Sequence, residues 1–261
     1  MRNLKKLISV VLMFAILISL FAVNAYGKTT KKVNLTISAA ASLTDVMTEI
    51  TKLYKKEKPN VSLTFNYGSS GALQQQIEQG SPVDVFLSAA TKQMDALKSK
   101  KLLINSTVKT LLYNDIVLIL PKNSKLSVKS FKDLSSKKVK TVALGEPTSV
   151  PAGQYAEQIL SYYNILSSVK AKAVYAKDVR EVLTWVESGN ADVGVVYKTD
   201  ALIIDKVKIA ATAPASSHSP VVYPGAVIKA SKNTTPAKEF LKFLTGSKAK
   251  TVFKKYGFKI K

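Results

Sequence analysis

From Val33 onward, short apolar runs alternate with stretches in which apolar residues recur every three or four positions. Period two marks strands and period 3.6 marks helices, so the alternation predicts an α/β chain with largely parallel sheets. Strands are expected at Val33 to Ala39, Val61 to Tyr67 and Asp84 to Ser88. The first helix is expected from a cap at Ser42 to about Lys56, with Val46, Met47, Ile50, Leu53 and Tyr54 on one face and Pro59 beyond its end. Helices follow at Gly71 to Gln79, stopped by Gly80, and at Thr91 to Ser99. A second unit opens with strands at Ile116 to Leu120 and Lys140 to Leu144, then a helix from Ala152 to Tyr163 and a strand near Ala171 to Tyr175. Asp178 with Glu181 reads as a capping box for a helix ending at Gly189, ahead of strands at Val193 to Tyr197 and Val207 to Ala211. A loop over Pro214 to Pro220 leads to a strand over Val221 to Lys229 and to helices at Pro236 to Leu244 and Lys248 to Tyr256. No linker rich in Pro, Gly or Ser divides the chain, so two lobes would have to exchange it more than once.

Ahead of this pattern stands the apolar run Leu7 to Val23, preceded by Arg2, Lys5 and Lys6 and followed by small residues up to Gly27. That is the layout of a secretory signal over residues 1–27, cut after Ala25 or Gly27, with an uncleaved anchor as the alternative. The chain contains no Cys, which excludes disulfides, thiolate metal sites, Cys nucleophiles and lipid attachment through an N-terminal Cys. An exported, periplasmic and freely diffusing protein is expected.

The formal charge is +22, and +19 without the three cations of the signal. Such a charge suggests nucleic acid, but the cations are 37 Lys and only two Arg, Arg2 and Arg180. Bidentate phosphate and base contacts favour Arg, and single-strand binders interleave aromatic residues that are not found among these lysines. The lysines are read as solvated faces and turns, and no nucleic-acid partner is expected.

Candidate chemistry lies where strands hand over to helices. Ala40-Ala41-Ser42-Leu43-Thr44, Gly68-Ser69-Ser70-Gly71, Val150-Pro151-Ala152-Gly153, Asp178-Val179-Arg180-Glu181 and Gly194-Val195-Val196-Tyr197 offer small hydroxyls or bare backbone amides there. Helix N-termini carry unpaired N–H groups and the positive end of the peptide dipole, so several of them converging would make an anion site without formal charge. Each segment also has a plainer reading: Ser42 and Ser70 as N-caps, Val150 to Gly153 as an ordinary helix start, Asp178 as a cap followed by a surface Arg, and Tyr197 as a packing residue.

Enzymatic readings are weaker. His218 is the only His, Gly68-Ser69-Ser70-Gly71 is not a nucleophile elbow, and neither a Walker A nor a G-x-G-x-x-G run occurs. A secreted hydrolase would have to pair Ser42 or Ser70 with His218.

Taken in order, these segments resemble the periplasmic molybdate-binding proteins of ABC importers. The matching text is Ala39-Ala40-Ala41-Ser42-Leu43-Thr44, Ser69-Ser70, Pro82-Val83-Asp84-Val85-Phe86-Leu87-Ser88-Ala89, Val150 to Ala156, Asp178-Val179-Arg180, Val195-Val196-Tyr197 and Phe253 to Phe258. The resemblance implies a type II periplasmic-binding-protein fold: two α/β lobes, each a mixed, mostly parallel sheet flanked by helices, with the ligand in the cleft between them. It implies lobe I over 28–112 and 213–261, and lobe II over 113–212. It carries the ligand contacts to Ser42 and Ser70 from one lobe and to Ala152, Val179 and Tyr197 from the other, touching oxyanion oxygens rather than the metal itself. The implied protein is not an enzyme and has no cofactor. It is a monomeric receptor that closes on molybdate or tungstate and passes it to a membrane permease, with sulfate as the alternative ligand.

Overall fold

The computed structural model describes residues 32–260, and the signal expected over 1–27 lies outside them. Two five-stranded sheets organise the chain. The first contains β1 (Val33–Ala40), β2 (Val61–Gly68), β3 (Val85–Leu87), β4 (Lys109–Tyr113) and β10 (Val222–Val227), in the order β2-β1-β3-β10-β4. The second contains β5 (Ile116–Pro121), β6 (Val142–Gly145), β7 (Ala173–Ala176), β8 (Val193–Tyr197) and β9 (Val207–Thr212), in the order β7-β6-β8-β5-β9. In each sheet four strands point one way and one is reversed, β10 in the first and β5 in the second. The reversed strand is in both cases the first one laid down after the chain crosses from the other sheet, through Asn114 and Asp115 on the way out and through residues 213–221 on the return. The expected mostly parallel sheets and repeated crossing are thus both present.

Helices cover both faces of the first sheet, because its strands alternate their side chains between two apolar layers. Leu35, Ile37, Val85 and Leu87 meet α1 (Thr44–Glu57), α8 (Thr234–Leu244) and α9 (Ser247–Lys255) through Met47, Ile50, Phe240 and Phe253. Phe86 and Ala226 point the other way, onto Leu73 and Ile77 of α2 (Ser70–Glu78) and Met94 and Leu97 of α3 (Thr91–Ser99). The second sheet carries α4 (Pro151–Tyr162), α5 (Leu166–Lys170), α6 (Val179–Glu187) and α7 (Lys198–Leu202). Among the described residues no helix is long and apolar enough to cross a membrane.

Three local expectations change. Ser42 does not cap α1: the chain makes a 3-10 turn over Ala41–Leu43, α1 begins at Thr44, and the Ser42 hydroxyl bonds elsewhere. Ser69, not Ser70, caps α2, accepting from the Ala72 N–H at 3.4 Å. Asp178 caps α6 as expected, accepting from Arg180 and Glu181 N–H, while Glu181 reaches back to Lys177 N–H rather than to its cap residue. The sequence pattern also passes over β4, because Lys109-Thr110-Leu111-Leu112-Tyr113 has no clean alternation, and over the single-turn helices α5 and α7.

Candidate functional site

Six strand ends converge on one small cavity. Its wall comprises Ala40, Ala41 and Ser42 after β1, Gly68, Ser69 and Ser70 after β2, Ala89 after β3, Val150 and Pro151 after β6, Asp178 and Val179 after β7, and Tyr197 at the end of β8. All are carboxyl ends of strands, where open α/β sheets place ligands. The cavity is small, about 10 Å³, close to the space one water molecule needs. A larger groove of about 450 Å³ beside Tyr54 and Phe243 lies elsewhere, and two of its lysines are already paired, Lys58 with Glu239 and Lys248 with Glu57.

Four of the five expected contacts, Ser42, Ser70, Val179 and Tyr197, stand in this wall. Ala152 does not. It is fully buried one residue beyond Pro151 in the first turn of α4, where only its backbone N–H is free of the helix ladder. Gly153, next in that turn, has no room for a Cβ, which would lie 2.0 Å from the Gly145 carbonyl oxygen. The tight fit seats the start of α4 directly on the end of β6.

The polar groups of the wall are arranged as donors. Ser70 Oγ accepts from Ala89 N–H at 2.9 Å, so its own proton is left to point elsewhere. Because Ser69 does the capping, the Ser70 hydroxyl is not spent on its own helix. Asp178 takes the N–H groups of Arg180 and Glu181 and leaves that of Val179 to the cavity. Tyr197 is 1% exposed, and no group meets its hydroxyl at full hydrogen-bond geometry. Burial, reinforced by Tyr223, Tyr155 and Asp200, drives its pKa well above the usual tyrosine value, so it keeps a proton to donate. Asp178 is the one charged side chain in the wall, and no Lys or Arg lines it.

Behind the wall lie residues without any local motif to announce them. Tyr223 Oη stands 2.9 Å from Ser42 Oγ across 181 residues of sequence, and its ring packs edge-on against Tyr197 with centroids 5.6 Å apart. Asn114 donates to Thr199 Oγ1 at 2.9 Å and to Tyr223 Oη at 3.4 Å. His218 is not in the wall: its Nδ1 lies 2.7 Å from the Ser219 carbonyl oxygen, so no serine–histidine pair is assembled there.

A family model for bacterial extracellular solute-binding proteins matches residues 35–259. The molybdate-binding protein ModA of Haemophilus influenzae is 40% identical over 229 residues, covering 87% of this chain and 90% of the relative. The chain belongs to the ModA family of extracellular solute-binding proteins. Within that family's reach lies a Bacillus subtilis protein, YvgL, provisionally named an ABC transporter substrate-binding lipoprotein, 48% identical over 228 residues and 87% of each chain. A solved structure from Clostridium difficile, provisionally titled the substrate-binding domain of a molybdenum ABC transporter, is 51% identical. It superposes with a TM-score of 0.68 over 88% of this chain and all of the other. ModA membership and the two-sheet architecture agree on a two-lobed type II periplasmic-binding-protein fold.

Proposed function

We propose that this protein is the extracytoplasmic receptor of an ABC importer, capturing molybdate, and tungstate alike, between two lobes that close on it. The observation that carries the reading is the donor-rich wall: hydroxyls and helix-start amides from both sheets, with no cation among them and Asp178 turned to its own helix N–H groups. A fully deprotonated tetrahedral oxyanion only accepts hydrogen bonds and is served by such a wall. Hydrogen phosphate carries a proton that needs an acceptor, and the one carboxylate of the wall, Asp178, already spends its Oδ1 on two backbone N–H groups. Sulfate also only accepts, so its exclusion rests on the size of the closed cavity. Ser42 and Ser70 serve from the first lobe, and the Ala152 and Val179 amides with the Tyr197 hydroxyl from the second.

Lobe I is taken as 28–112 with 213–261 and lobe II as 113–212. Each contributes part of the donor set, so closure gains contacts that the open form lacks. The protein acts as an exported periplasmic monomer, without catalysis and without a cofactor, and delivers its ligand to the membrane permease. Relatives named as ModA and as ABC substrate-binding proteins support this assignment.

Isothermal titration of residues 28–261 with molybdate, tungstate, sulfate and phosphate at physiological salt tests it. One-to-one binding of the first two, with the others silent, is the expected result. Preference for sulfate would overturn the ligand, and silence with all four would overturn the function.

A further inference from the structure

The Asn114 amide is held in one orientation, because its Oδ1 accepts from Asp115 N–H at 2.9 Å. Its nitrogen therefore faces Thr199 Oγ1 and Tyr223 Oη and can only donate to them. A tyrosine hydroxyl that accepts from Asn114 has its single proton free to donate, and the hydrogen-bond partner that meets Tyr223 Oη is Ser42 Oγ at 2.9 Å. Ser42 then accepts from Tyr223 and has only its own proton left to direct into the cavity it lines. Asn114, Tyr223 and Ser42 are all buried, so water does not compete for this relay.

We infer that Tyr223, oriented by Asn114, is a positioning residue that fixes Ser42 as a hydrogen-bond donor and thereby makes the site select anions that carry no proton. Ser70 reaches the same polarity through the backbone, from Ala89 N–H. Ser42 follows a strand end with no such amide at hand, and the relay supplies the missing donor. Tyr223 sits where β10 shifts register against β4, between Tyr223 and Pro224. Such irregularities re-aim side chains, and this one also accommodates a proline that cannot donate to the ladder. The inference rests on the oxyanion-receptor reading above.

The test is a double-mutant cycle between Tyr223→Phe and Ser42→Ala, read by titration with molybdate and phosphate. In the parent background Tyr223→Phe is expected to weaken molybdate binding about tenfold, and to narrow the molybdate-to-phosphate affinity ratio, because a free Ser42 hydroxyl can accept from hydrogen phosphate. In the Ser42→Ala background the same change should alter the molybdate affinity by less than about twofold, since there is no hydroxyl left to orient. Asn114→Ala is the second probe, expected to give a smaller loss that also vanishes in the Ser42→Ala background. A purely structural role for Tyr223 would give additive losses and an unchanged ratio, and either result would overturn the inference while leaving the receptor reading intact. No molybdate binding by the unmodified protein would overturn both.

Discussion

Arg180 Nη2 lies 2.5 Å from Asp45 Oδ2, an ion pair that joins the start of α6 beside the second sheet to the start of α1 beside the first. On its other side Arg180 Nε is 2.8 Å from Asp200 Oδ1, a carboxylate with no exposure to solvent. The residue after Val179 thus straddles the cleft at its rim, and the bland sequence reading of a surface Arg gives way to a bridge between lobes.

The bridge should slow ligand release. Asp45→Asn removes the inter-lobe pair and leaves Arg180 with Asp200, so the dissociation rate of molybdate is expected to rise by a few-fold, up to about fivefold for a half-exposed pair worth about 1 kcal/mol. Stopped-flow release against excess tungstate measures it. A rate that falls would show that relief of repulsion between Asp45 and the anion outweighs the bridge.

Asp200 gives the fold a pH dependence. Burial pushes its carboxyl up to about 6, while Arg180 pulls it down and Asp45 and Asp178 add to the rise. The folded chain holds this proton more tightly than the unfolded chain, whose Asp titrates near its ordinary value of 3.8. The group therefore favours the fold fully below about 3.8, loses that contribution as pH rises, and gives none of it above about 6. Comparing melting temperatures at pH 5 and pH 7, the parent should gain more on acidification than Asp200→Asn, by a few degrees. Equal gains would remove Asp200 from the pH profile.

Gly71 donates its N–H to the Ser149 carbonyl at 2.9 Å, a backbone contact from α2 of the first lobe to the loop ahead of α4 in the second. A Cβ there would lie 2.5 Å from that oxygen and 2.7 Å from Ser149 Cα, both backbone atoms that cannot swing aside. Its glycine is explained by the close approach of the opposite lobe. Gly71→Ala should leave the melting temperature of the unliganded protein nearly unchanged, weaken molybdate binding by tenfold or more, and keep the liganded radius of gyration near that of the open form. Small-angle scattering with and without molybdate reads the last of these, and a normal compaction would contradict the role.

Ser70 serves two ends. Ser70→Ala removes a proposed donor to the anion and leaves the Ala89 N–H unpaired in a buried site, so it should lower both affinity and stability, the latter by about 1–3 kcal/mol. Ser42→Ala leaves Tyr223 still accepting from Asn114 and unpairs one side-chain hydroxyl rather than a backbone amide, so it should cost affinity with less loss of stability. Chemical denaturation alongside titration separates the two, and equal stability losses would contradict the distinction.

The fold was legible because each strand and helix obeys its own period and each site segment sits at a strand end. Ser42, Ser70, Val179 and Tyr197 stand at such strand ends in the local text, and the fold brings them to one cavity. What the local text does not carry is contact across sequence: Tyr223 reaching Ser42, Asn114 reaching Thr199 over 85 residues, and Arg180 reaching Asp45 over 135. The Ser42 cap failed because a 3-10 turn, which period counting does not distinguish from a helix start, intervenes before α1. Gly71 was visible as a glycine, but what it accommodates lies in the other lobe. The excess of lysine has no counterpart in the site.

The central claim is that one molybdate is held between the two lobes by these named groups. Crystals grown with molybdate and measured at the molybdenum absorption edge test it most directly. A single anomalous peak within hydrogen-bonding reach, through its oxygens, of the Ser42 and Ser70 hydroxyls, the Ala152 and Val179 amides and the Tyr197 hydroxyl is the predicted result. A peak elsewhere, or none in crystals whose solution counterpart binds the anion, would contradict it.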